Sequence, residues 1–159
     1  MADINLTIDF ILENEDAGLT GKVTSDAGGV TRWGIASKFH PGVDVANLTL
    51  AQARSIYANE YVGPFSAIAD QTVQNIVCDC LVNPGFGAGA DCVHTAMSWL
   101  LPHVEAAALT GAVGPDTISH LNGLAPDDII PRLRASRSIH YFQHDQGPNL
   151  IGLLVRAAR

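Results

Sequence analysis

A mainly α-helical fold, broken by one glycine-rich loop or small hairpin, is predicted from three observations. Apolar residues recur at helical spacing in successive stretches separated by short breaks. The breaks carry helix punctuation: Thr49 and Asp70 stand where N-caps belong, and Gly63-Pro64, Pro84-Gly85 and Pro102 where helices stop. Strand signals are few, and residues 16–48 are the one long region without helical periodicity.

Taken in order, the first helix covers about residues 4–15. At about 100° per residue, Ile8, Ile11 and Leu12 share one face, Glu15 falls within about 20° of Ile8, and Glu13 points almost the opposite way. The following loop holds glycines from Gly18 to Gly34, together with Asp26, Thr31 and Trp33. Thr49 opens a second helix, LAQARSIYANEYV, in which Tyr57 and Tyr61 share a face. Asp70 opens a third, QTVQNIVCDCLVN, apolar on several sides and therefore expected at the centre of the core. A fourth spans about 86–101. Gly114-Pro115-Asp116 starts a short helix, and Ala125-Pro126-Asp127-Asp128 a long one, with proline at the start and acids in the first turn. The last stretch, NLIGLLVRAAR, is a short apolar helix with a basic end.

The chain has 159 residues, 47% hydrophobic and 16% charged, which suits one folded domain and excludes disorder. No apolar run reaches membrane-span length, and MADINLTIDF lacks a basic segment followed by an apolar core, so no signal peptide is expected. Net charge is −7 but uneven: residues 71–128 have no Lys or Arg, whereas from 129 onward five arginines face Asp145 alone. No Lys/Arg stripe interleaved with aromatics exists, so nucleic acid is not an expected partner. Cys78, Cys80 and Cys92 are odd in number and poorly spaced for zinc, which favours buried, reduced thiols. His140 and His144 are spaced for a metal on a helix but lack a third ligand nearby, so a solvated face is expected. No cofactor or metal is predicted.

The chemistry concentrates in Glu15–Ile35. A carboxylate on the apolar side of a helix end is disfavoured as an ion, the condition a general acid needs. A second carboxylate, Asp26, and a hydroxyl, Thr31, follow on the loop. An acid at a helix end with a carboxylate beyond it suits glycoside hydrolysis. Each residue also has a structural reading: Glu15 bonded to loop backbone, Asp26 as a turn residue before Gly28-Gly29, Thr31 as a turn cap, Trp33 as core.

Five motifs, in order, resemble the phage and bacterial N-acetylmuramidases of glycoside hydrolase family 108. They are Glu15 with Asp26, Gly28, Gly29, Thr31, Gly34 and Ile35; Asp79-Cys80-Leu81-Val82-Asn83-Pro84-Gly85; Gly111-Ala112-Val113-Gly114-Pro115-Asp116-Thr117; Arg137 with Tyr141; and Gly152-Leu153-Leu154-Val155-Arg156. The chain departs from the pattern at Asp16-Ala17, in the longer interval from Glu15 to Asp26, and at Leu153, where the family has Trp. The resemblance implies a lysozyme-like helical fold, an endolysin-type muramidase in residues 4–90 and a peptidoglycan-binding part in 91–159. It implies cleavage of the β-1,4 link between N-acetylmuramic acid and N-acetylglucosamine. Glu15 would protonate the glycosidic oxygen, Asp26 would stabilise the cationic centre or activate water, and Thr31 would position that water. Trp33, Tyr57, Tyr61 and Asn83 are the candidate substrate-binding residues. Of the two tyrosines, one is expected in the cleft and one in the core. Asp79 is expected to make a buried structural bond, and Arg137 to pair with a carboxylate that ties the C-terminal helices. The expected partner is the glycan strand of peptidoglycan, with no nucleic acid or membrane, and the chain is expected to be a monomer. It would be made in the bacterial cytoplasm and act on the wall after release. A lytic transglycosylase and a non-catalytic peptidoglycan-binding module remain alternatives.

Overall fold

The structure, a computed structural model, describes residues 1–26, 29–102, 111–144 and 147–159, the side chain of Asp26 excepted. The chain divides into two compact units, Ile4–Pro64 and Phe65–Arg159 with Met1–Asp3.

The N-terminal unit begins with α1 (Ile4–Glu15), which buries Thr7, Ile8, Ile11 and Leu12 on the face that the periodicity predicts. A three-stranded antiparallel sheet follows: β1 (Thr24–Asp26), β2 (Gly29–Arg32) and β3 (Ile35–Ala36). In register, Thr24 faces Thr31 and Asp26 faces Gly29, while Arg32 faces Ile35. The expected loop or hairpin is thus a small meander. Trp33 and Gly34 form the two-residue turn between β2 and β3, with φ of 55° and 76°. Positive φ at both central residues is what a tight turn between right-twisted strands demands.

Helix α2 (Leu50–Ile56) starts in a capping box in which the Thr49 hydroxyl accepts from the Gln52 N–H and the Gln52 side chain accepts from the Thr49 N–H. Its predicted continuation to Val62 is a π-helical turn, Tyr57–Val62, rather than more α-helix. Arg54 pairs with Asp9, tying α2 to α1. The unit's core contains Ile8, Ile11, Leu12, Ile35, Leu48, Ala53, Tyr57 and Val62.

The C-terminal unit is helical throughout its described elements: α3 (Gln71–Val82), α4 (Phe86–Ser98), α5 (Pro115–Gly123), α6 (Pro126–His144) and α7 (Leu150–Ala157). Asp70 caps α3 by accepting from the Val73 N–H. As expected, α3 is the central helix, burying residues on every side from Val73 to Leu81. Helix α4 ends at Ser98, short of Pro102, because the Leu100 and Leu101 N–H groups both turn onto the Met97 carbonyl. The three cysteines are free and buried, as predicted; burial and the Asp79 charge push the Cys78 thiol up, so it stays protonated.

One buried ion cluster fastens this unit. The Asp79 carboxylate is 0% exposed; it accepts from Arg137 Nη2 at 2.5 Å and from Arg156 Nη2 and Nε at 2.5 and 3.1 Å. Arg137 Nε donates to the Tyr141 hydroxyl at 2.9 Å, and that hydroxyl donates to the Asn83 side-chain oxygen at 2.6 Å. The expected carboxylate partner of Arg137 is therefore Asp79, and α3, α6 and α7 meet at it. No helix among the described residues is long and apolar enough to cross a membrane.

Candidate active site

The end of α1, the first loop and the β2–β3 turn of the N-terminal unit enclose a pocket of about 270 Å³. Glu15, Thr31 and Trp33 all line it, so three of the predicted residues converge. Glu15 is half-buried, whereas Glu13 is exposed and accepts the Gly18 N–H, as the helical angles require.

Glu15 is held by close packing against the turn. A β-carbon at Gly34 would lie 2.7 Å from Glu15 Cγ and 2.5 Å from the Tyr57 hydroxyl, so only glycine fits there. Tyr57 is 1% exposed and donates its hydroxyl to the Trp33 carbonyl at 3.0 Å. Trp33 is 8% exposed, and its indole N–H donates to the Leu48 carbonyl at 2.9 Å. These two bonds fix Trp33 in a left-handed backbone conformation that costs a non-glycine residue about 1–2 kcal/mol. The turn is thus clamped from both sides, with Glu15 against it.

Of the two tyrosines, Tyr57 is buried in the core and Tyr61 is half-exposed, outside the residues that line the described pocket. Burial, together with the Glu60 and Glu15 carboxylates, raises the Tyr61 phenol above its ordinary range, so Tyr61 lies within the field of Glu15.

Asp16, next in the chain, also lines the pocket. Its Oδ1 accepts the Thr20 hydroxyl at 2.7 Å and its Oδ2 the Gly21 N–H at 2.6 Å. Burial alone would raise its pKa, but these donors hold the carboxyl below the usual range, so it is ionised. Both its oxygens serve to fold the loop after α1, bringing Gly21 under the Trp33 ring. Arg32 braces the far wall, donating Nε to the Gly21 carbonyl and Nη1 to the Ala46 carbonyl, each at 2.9 Å. Sequence reasoning did not single out Arg32 or Lys22 as pocket residues, because neither lies on a periodic face or in a motif.

Asp26 is in the described backbone of β1, paired with Gly29, but its side chain and the whole of Gly28 lie outside the described residues. Asn83 belongs to the C-terminal unit, where its side-chain oxygen is engaged by Tyr141. That unit has its own groove of about 610 Å³ between α4 and α6, lined in part by Asp91, Thr95, Trp99, His140, Gln143 and His144. Trp99 is 45% exposed there. The His140 and His144 rings lie tilted to one another by 37°, with centroids 4.6 Å apart. No group of three or more His, Cys, Asp or Glu among the described residues is placed to hold a metal ion.

Residues 8–85 match the family model described as Glycosyl hydrolase 108. Just under half of the chain is therefore similar to a glycosyl hydrolase 108 domain. The match contains the Glu15 pocket in full, and it identifies the chain as a glycoside hydrolase. No curated protein matches the sequence. Among solved structures, that of Brucella abortus SagA is similar over 98% of this chain and 95% of that one, with a TM-score of 0.65 at 16% identity. That likeness concerns the fold, and it agrees with the mainly helical architecture described above.

Proposed function

We propose that this glycoside hydrolase is an endolysin-type N-acetylmuramidase that cuts the β-1,4 bond between N-acetylmuramic acid and N-acetylglucosamine in peptidoglycan. The observation that carries the reading is Glu15: a carboxyl at a helix end, packed on a clamped turn, facing a pocket that also holds Thr31. Glu15 donates its proton to the glycosidic oxygen as the bond to the sugar carbon breaks. Asp26 stabilises the oxocarbenium-like centre or takes the proton of the incoming water, and Thr31 orients that water. Trp33 and Tyr61 shape the sugar-binding wall, and the buried Tyr57 holds the turn behind it. The helices of residues 91–159 bind the polymer; the exposed Trp99 beside Asp91, Thr95 and Gln143 supports this, since an aromatic face with polar neighbours suits a sugar ring. The enzyme works as a monomer on the cell wall, after release from the bacterial cytoplasm in which it is made.

The deciding experiment is reducing-end release from purified peptidoglycan by the wild type and by Glu15→Gln. The amide keeps the shape and cannot donate the proton, so the rate should fall at least about 100-fold. A Glu15→Gln enzyme within a few-fold of wild type would refute the assignment. A second reading, lytic transglycosylation with Glu15 acting without a second carboxylate, is favoured by the engagement of both Asp16 oxygens in the loop. Mass spectrometry separates the two: reducing muropeptides mark hydrolysis, 1,6-anhydro products mark transglycosylation.

A further inference from the structure

We propose that Lys22 is a specificity-determining residue of the Glu15 pocket, and that it receives a carboxylate carried on the glycan substrate. The inference rests on the glycosidase reading above and adds to it the charge of the group recognised beside the cleaved bond.

Two cations and two carboxylates line the described pocket: Lys22 and Arg32, Glu15 and Asp16. Three of them have work assigned by geometry. Both oxygens of Asp16 are taken by the Thr20 hydroxyl and the Gly21 N–H. Arg32 spends its guanidinium on two backbone carbonyls, and it lies against the Trp33 ring at 5.8 Å. Glu15 packs on Gly34. Lys22 differs. Its backbone N–H donates to the Thr20 hydroxyl at 3.2 Å, so its main chain is anchored to the loop that Asp16 folds. Its ammonium makes no hydrogen bond or ion pair among the described residues, and the residue is exposed at the pocket edge.

A lysine at the edge of a sugar-sized pocket, its ammonium unpaired among the described residues, attracts anions, and here it works against a net charge of −7 that repels them. A glycan of neutral N-acetylhexosamines would gain nothing from it. A peptidoglycan strand offers carboxylates from two sources: the lactyl group of N-acetylmuramic acid once its peptide is removed, and the peptide stem itself. The shared chemistry is a carboxylate within lysine's reach of the ring that occupies the pocket. Lys22 forms a screened, solvent-edge ion pair with it, which strengthens binding without touching the reacting atoms.

The test measures KM and kcat, by reducing-end release, for wild type, Lys22→Ala and Lys22→Arg on three soluble strand preparations. One is intact; one is stripped of stems by an amidase; one has its carboxylates converted to neutral methylamides. An exposed ion pair predicts a KM higher by about two- to fivefold for Lys22→Ala on the preparation that carries the partner carboxylate, intact or stripped, with kcat and the pH–activity profile unchanged. Lys22→Arg keeps the wild-type KM. On neutralised strands the KM values of wild type and Lys22→Ala converge. A penalty on intact strands that disappears on stripped ones names the stem; a penalty found on stripped strands names the lactyl carboxylate, which the amidase frees. Equal KM for wild type and Lys22→Ala on both intact and stripped strands overturns the proposal, as does a penalty that survives neutralisation. A displaced pH profile also overturns it, because Lys22 would then act on Glu15 rather than on substrate. Should the wild type release no reducing ends from any preparation, the muramidase reading falls and Lys22 with it; every other failure falls on Lys22 alone.

Discussion

Replacing Gly34 by alanine tests the clamp that holds Glu15. The added β-carbon would sit 2.5 Å from the Tyr57 hydroxyl and 2.7–2.8 Å from Glu15 Cγ and Cβ, at a φ of +76°. The left-handed conformation costs an alanine about 1–2 kcal/mol, and overpacking a tight site about 1–3 kcal/mol more. Together they predict a loss of about 2–5 kcal/mol in urea or guanidinium unfolding. Tyr57→Phe, which removes only the hydroxyl bonded to the Trp33 carbonyl, should cost about 0.5–1.5 kcal/mol. The double variant is the sharper measurement. Deleting the hydroxyl makes room for the new methyl, so the two losses should fall short of their sum by at least about 0.5 kcal/mol. In activity, assayed where both proteins are fully folded, Gly34→Ala should lower kcat by about 10- to 100-fold, since a shift of about 1 Å in a positioned group has that effect. Strictly additive losses, or a Gly34→Ala protein with wild-type kcat, would show that the turn does not position Glu15.

Two further outcomes follow from the C-terminal unit. Asp79→Ala leaves the buried Arg137 and Arg156 guanidinium groups without their carboxylate and should destabilise the protein by about 3–5 kcal/mol in denaturant unfolding; a loss under about 1 kcal/mol would contradict the cluster. Tyr141 is pushed up to about 12, chiefly by burial and against the pull of Arg137, so an absorbance titration should show one of the three tyrosines ionising well after the free phenol range. Because its folded pKa is raised, the stability it contributes is complete below about pH 10 and is lost as the pH climbs through about 12; Tyr141→Phe should flatten that alkaline loss.

The helices were legible because their ends are written in side-chain chemistry. Thr49 and Asp70 cap as expected, proline opens α5 and α6, and α3 is central because its apolar residues surround the axis. The Arg137–carboxylate bond was expected from the Arg137–Tyr141 motif; its partner, Asp79, lies 58 positions away and no spacing rule names it. The sheet was not, beyond the suggestion of a hairpin: strands of three, four and two residues are too short to show a period of two. The π-helical turn at Tyr57–Val62 leaves no compositional trace, so the division of labour between Tyr57 and Tyr61 could be anticipated but not assigned. At the site, the helical angles put Glu15 on the right face. Asp16 as loop clamp and Arg32 as brace depend on bonds to main-chain groups far along the chain or on the loop, which no spacing rule encodes.

The Asp79 cluster joins residues 58 and 77 positions apart in sequence. Closing spans of that length carries an entropic cost that grows with the logarithm of the span. A half-built form with α3 enclosed by α4 alone would imprison a bare negative charge, at a penalty of several kcal/mol. Such forms are therefore disfavoured, so the last helix and the long one before it are expected to open together, which hydrogen exchange of their amides would read as a single opening event.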